Sequence, residues 1–238
     1  MADGRHTTPS SDGPNLRILI GGGIAILVVL GVVGYLVFGR NTGETAQSPS
    51  PVSVARVAGF TFDSTTLTLT VDPKGDKKKA KAAAEPVAKQ VATELNTLYG
   101  KGFVDTTSWQ AGTYDEALAI FDSGAQAEAR KQLDVLTAGS AAGTTFDSIS
   151  DAAGKLKIDV LVDANERPQS ASGAATFTAT VTGKDGSTAT IRSQGQFIFR
   201  SVKGSWKVVS FNVTRNDQSG GETPTGSGTP TGSGSATP

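Results

Sequence analysis

The spacing of apolar and polar positions divides the chain into unlike stretches. From Ile18 to Phe38, twenty-one residues carry no charge and are bounded by Arg17 and Arg40. A helix of this length covers roughly 31 Å, close to the roughly 30 Å hydrocarbon core of a bilayer, so the pattern predicts one transmembrane helix over 18–38. A cleaved signal peptide fits less well. Its apolar region is shorter, and the first small-x-small site here, Glu44-Thr45-Ala46, places a carboxylate where a small residue is needed.

Further along, the period changes. In 54–71, VARVAGFTFDSTTLTLTV, Phe60 and Phe62 and then Leu67, Leu69 and Val71 alternate with polar residues, which predicts a hairpin or two short strands broken at Asp63-Ser64. Asp76 is placed to cap a helix starting in the lysine run, and Pro86 fits the first turn of a second helical segment. There Val87, Val91, Leu95 and Leu98 form one apolar stripe that ends at Tyr99-Gly100. Thr113 and Glu116 have capping-box spacing ahead of Leu118 and Phe121, and Ser123 is a cap candidate for a third helix through Leu133 and Leu136 that stops near Gly139. From Thr144 the period is two, with expected strands at 144–150, 155–162, 172–182, 187–202 and 205–215. The turns Gly183-Lys184-Asp185-Gly186 and Lys203-Gly204 make the last three an antiparallel meander.

Helices followed by a run of strands predict an α+β domain with helices on one face of a curved sheet. The remaining segments are a cytoplasmic tail at 1–17, a Pro/Ser linker at 39–53, and a polar end at 217–238 in which TPTGSG occurs twice and which is too polar to order itself. Lys/Arg counts flanking the span are almost balanced, with Arg5 and Arg17 before it, Arg40 close after it and Arg56 further off. The short tail is the easier side to leave inside, so the domain is expected outside the membrane. Gly21 and Ala25 form a small-xxx-small pair, through which two copies could meet as a homodimer.

Composition then narrows the chemistry. With no Cys and 22 Lys+Arg against 22 Asp+Glu, a disulfide scaffold, a cysteine nucleophile, a thiolate-bound metal and a strongly basic nucleic-acid binder are excluded. The one histidine, His6, precedes the span, and no calcium-loop spacing of carboxylates occurs, so neither a metal nor a cofactor is expected.

The wording SWQAGTYDEALAIF, ARKQLDVLTAG, KIDVLVDA, TFTATVTGKDG, GQFIFR and GSWKVVSFNVTR resembles membrane-anchored actinobacterial proteins with the NTF2-like, cone-shaped α+β fold, related to the Mce-associated membrane proteins. The resemblance covers about 82–215 and implies three N-terminal helices on a curved, mostly antiparallel sheet. It leaves the strands at 54–71 outside the basic unit. Enzymes of this fold, such as ketosteroid isomerase-like and SnoaL-like cyclases, use a base inside the cone. The residues that fit such a role least badly are Tyr114 and Asp115, although a helix first turn accounts for Asp115 and Glu116 equally well. By strand parity Asp159 and Asp163 fall on the polar face.

Two further groups stand out. Trp109, Phe177, Phe197, Phe199, Trp206 and Phe211 are either core residues or the lining of an apolar cavity. Lys74, Lys77, Lys78, Lys79 and Lys81 lie within eight residues, opposed only by Asp76, at a helix start where the dipole disfavours cations. They are solvated lysines or a contact for a membrane or another polyanion. The sequence therefore points to a non-catalytic, membrane-anchored accessory module of the cell envelope with a protein partner there. The alternative is a binder of a lipid-like or apolar ligand in the cone, serving envelope transport.

Overall fold

The computed structural model describes residues 50–52 and 59–219. The expected span, the cytoplasmic tail, most of the linker and nearly all of the repeated polar end lie outside the described residues. Among those described, no helix is long and apolar enough to cross a membrane.

The architecture is α+β. In chain order it comprises β1 (Ser50–Pro51), β2 (Ser64–Val71), α1 (Lys77–Tyr99), a π-turn (Gly100–Val104), α2 (Thr106–Ala111) and α3 (Asp115–Leu118). There follow α4 (Ser123–Lys131), α5 (Leu133–Leu136), α6 (Ala142–Thr145), β3 (Phe146–Val162), β4 (Pro168–Gly183), β5 (Thr188–Val202) and β6 (Ser205–Ser219). The six strands form one sheet in sequence order, with β2 and β3 parallel and every other pair antiparallel. Strand alternation decides the core: Leu156, Ile158, Val160 and Val162 of β3 are buried, while Lys155, Lys157 and Leu161 are exposed.

Helix α1 covers the inner face, packing on β2, β3 and β4. Its expected stripe is buried, and Ala80, Ala84, Ala88 and Ala92 are fully buried beside it, so the helix axis can approach the sheet closely. Contrary to the two-segment expectation, α1 is continuous through Pro86. The carbonyl that loses its bond there belongs to Ala82, and both residues are exposed, so water can satisfy it.

Other boundaries shift for local reasons. The expected strands at 144–150 and 155–162 are one strand, because the intervening residues form an irregularity between Ser150 and Ala153 with Asp151 at φ 51°. Asp63 closes that irregularity: its N–H donates to the Gly154 carbonyl and its Oδ2 accepts from the Gly154 N–H, both at 2.9 Å. Only Ser64–Val71 of the expected N-terminal pair is a named strand. Its neighbour is Ser50–Pro51, which the sequence assigned to the linker. Likewise β6 runs to Ser219, into the stretch expected to be unordered. The capping box at Thr113 does not form; α3 begins after Tyr114, whose side chain turns inward, and Asp122 rather than Ser123 caps α4 by accepting from Ala125 N–H at 2.7 Å.

Candidate functional site

The space between α1 and the inner face of the sheet is filled by aromatic rings. Tyr99 stacks on Phe103 at 5.5 Å between centroids, and Phe177 lies 5.3 Å from Tyr99 and 5.0 Å from Phe103. Phe60 and Phe62 enter from the segment before β2, with Phe60 edge-on to Phe177 at 5.4 Å and Phe62 edge-on to Tyr99 at 5.4 Å. Such edge contacts complement the ring quadrupoles and add to the large apolar area each ring buries.

Of the six aromatic residues read as either core or cavity lining, Phe177, Phe197 and Phe199 sit wholly inside this packing or beside it. Trp206 is buried next to the β5–β6 turn, and Phe211 is partly buried, edge-on to Phe121 at 5.1 Å. Trp109 packs elsewhere, edge-on to Phe146 at 5.9 Å. With Thr106, Gln110, Asp147 and Lys184 it borders a cleft of about 210 Å³ at the far end of the sheet. The Lys184 ammonium is already used there, donating to the Gly143 carbonyl at 2.7 Å.

Few polar groups reach the interior. Tyr99 Oη and Ser193 Oγ are 3.4 Å apart, and burial pushes the Tyr99 hydroxyl up to about 12, with Ser193 acting in the opposite direction. Asn96 Oδ1 accepts from the Phe62 N–H at 3.2 Å, while its Nδ2 has no partner. The residues buried among polar types, within the described part, are Thr65, Asn96, Thr137 and Ser193, and none is a carboxylate.

The Tyr114–Asp115 pair does not face it as a unit. Tyr114 is buried and its hydroxyl donates to the Gly139 carbonyl at 2.8 Å, while the exposed Asp115 pairs with Arg130 at 2.8 Å. Asp159, on the outer face, is 3.7 Å from Lys157. No group of three His, Cys, Asp or Glu residues is placed to hold a metal among the described residues.

The lysines gather at one end of the sheet. Lys74, Lys77, Lys78 and Lys79 are exposed and Lys81 is partly so. Asp76 caps α1 by accepting from Lys78 N–H at 2.9 Å and Lys79 N–H at 3.0 Å; these bonds, with Lys79 foremost, hold its carboxyl below the ordinary 3.8. The β3–β4 turn lies alongside, with Glu166 Oε1 accepting from the Asp76 N–H at 3.1 Å.

Sequence reasoning missed Phe60, Phe62, Tyr99, Asn96 and Ser193 as interior residues. The signal for Asn96 was its place one turn after Ala92 on the buried side of α1, and that for Ser193 its inward parity with Ile191 and Phe197.

No protein-family model matches the chain, and no curated protein matches it. Among solved structures it is similar to one described as a "putative aromatic ring hydroxylase" from Novosphingobium aromaticivorans, at 14% identity and a TM-score of 0.36. That match covers 55% of this chain and 90% of the other. A likeness this distant carries no argument about activity.

Proposed function

We propose that this chain is a single-pass, membrane-anchored module of the NTF2-like type, held outside the membrane and acting without catalysis as an accessory component of the cell envelope. The observation that carries this reading is the closed interior. Phe60 and Phe62, from the segment before β2, are buried edge-on against Phe177 and Tyr99 beneath α1. With the interior filled and without a buried carboxylate, what remains to recognise a partner is the surface. The anchor rests on the apolar run 18–38.

Crosslinking in native membranes followed by pull-down, with lipid extraction of the purified chain beside it, tests the reading. A discrete crosslinked envelope protein and no stoichiometric lipid are expected. A stoichiometric lipid, with saturable uptake of an apolar fluorescent probe, overturns it in favour of ligand transport.

A further inference from the structure

Strand β1 shows where the chain enters the fold. Ser50 lies opposite Leu67 and Pro51 opposite Thr66, so β1 runs antiparallel to β2, away from Val71 and the lysines that follow it. The chain thus arrives from the lysine end. Leu67 is four residues from Val71, about 13 Å at a rise of about 3.3 Å per residue. The opposite end is further away: the row through Leu67, Ile158 and Gly173 is ten residues of β4, about 33 Å, from Gly183.

Eleven residues, 39–49, separate Ser50 from the apolar run, and fully extended they reach at most about 40 Å. To bring the far end to the same membrane they would have to run back along the sheet and use most of that reach. The lysine end needs no such detour.

The charges at this end are sorted. Over 72–81 and 163–167 there are six basic and four acidic side chains. Each of the four acids is turned onto the backbone. Asp72 Oδ1 accepts from Lys74 N–H, and Asp76 caps α1. Asp163 Oδ1 accepts from Asn165 and Arg167 N–H, and Glu166 accepts from Asp76 N–H. Lys74 in the β2–α1 turn and Lys78 and Lys79 on the first turn of α1 are exposed cations, and at that helix start the aligned peptide dipoles add positive potential. Arg200 and Lys203 extend the same end towards the β5–β6 turn.

We propose that this lysine end docks on anionic lipid headgroups of the membrane that holds residues 18–38, setting the domain upright with the β2–α1 and β3–β4 loops against the bilayer. The inference rests on the anchored reading given above. It specifies which surface faces the lipid and leaves the opposite end, with the Trp109 cleft, pointing away for a protein partner. Cations near an anionic surface are attracted over about a Debye length, so the docking is sensitive to salt.

The absence of cysteine makes a direct test available. The full chain carries a fluorophore at Asn165→Cys, in the lysine-end turn, or at Thr188→Cys, at the far end, and is reconstituted into vesicles containing a headgroup-nitroxide lipid. In phosphatidylglycerol vesicles the label at 165 should be quenched several-fold more than the label at 188. The difference should fall away in pure phosphatidylcholine, at about 1 M salt, where the screening length is about 3 Å, and with Lys74→Glu, Lys78→Glu and Lys79→Glu combined. Equal quenching at both positions, or a difference indifferent to lipid charge, overturns the docking while leaving the anchor intact. Failure of the chain to float with vesicles overturns the anchor itself, and the docking with it.

Discussion

The interior and the lysine end are built on opposite rules. Inside, rings from β2's approach, α1, the π-turn and the sheet consume the available volume, and among the few polar groups the Tyr99 and Ser193 hydroxyls face one another. At the lysine end the acids are committed to the backbone, and Lys74, Lys78 and Lys79 are exposed. The first region specifies a structure, and the second presents exposed cations on its surface.

Substitutions separate the two regions, the largest effects falling inside. Phe177→Ala, which removes the ring between Phe60, Tyr99 and Phe103, should cost about 3–5 kcal/mol in urea unfolding. A cost under about 1 kcal/mol would mean that the rings surround a void. Gly195→Ala sharpens the point by adding volume. Its methyl would lie 2.5 Å from the Phe197 ring and 3.1 Å from the Tyr99 hydroxyl, so a loss of about 1–3 kcal/mol is expected, whereas an open cone would accept it freely.

Titration should divide the regions by pH. Tyr99 ionises near 10 in the unfolded chain and near 12 in the fold, so its contribution is complete below pH 10 and is lost as pH rises towards 12. Tyr99→Phe should flatten that alkaline loss. Asp76 behaves in the opposite sense. Its folded value lies below 3.8, so its contribution is present above that pH and lost as pH falls through the depressed value. Amide shifts of Lys78 and Lys79 should report the acid step while those of Phe177 stay still. The smallest effect belongs to the lysines: Lys74→Glu, Lys78→Glu and Lys79→Glu together should change stability by no more than about 0.5 kcal/mol each. A larger loss would make them structural and remove the contrast.

The parts that were legible are those where one period has one meaning. Along β4, β5 and β6, alternating apolar residues and glycine-bearing turns left little choice, and the strands end within a few residues of expectation. The stripe Val87, Val91, Leu95 and Leu98 was equally unambiguous. Phe60 and Phe62 were not, because a strand and an extended plug present the same alternation; only the sheet they insert against tells the two apart. Pro86 misled because its cost depends on whether water reaches the Ala82 carbonyl, which is a property of the helix's exposed side. Of the candidate site, the lysines were visible as a run, but the direction of β1 and the inward turn of the four acids exist only in three dimensions.

The parallel pairing of β2 with β3 has a consequence for how the chain acquires its shape. Asp63 and Gly154, bonded to each other at the foot of that pair, are 91 residues apart, and every helix of the described residues lies between them. Strands β3 to β6 close by short turns, so they form from neighbours, whereas β2 meets a high loop-closure entropy and must wait for β3. As the chain is made from its N-terminus, β2 emerges early and cannot pair with β3 until the hairpins exist. The rings that seal the interior are thus the last to arrive. In pulse-labelled refolding, amides of β4 and β5 should be protected before those of β2; the reverse order would show that the seal nucleates the fold.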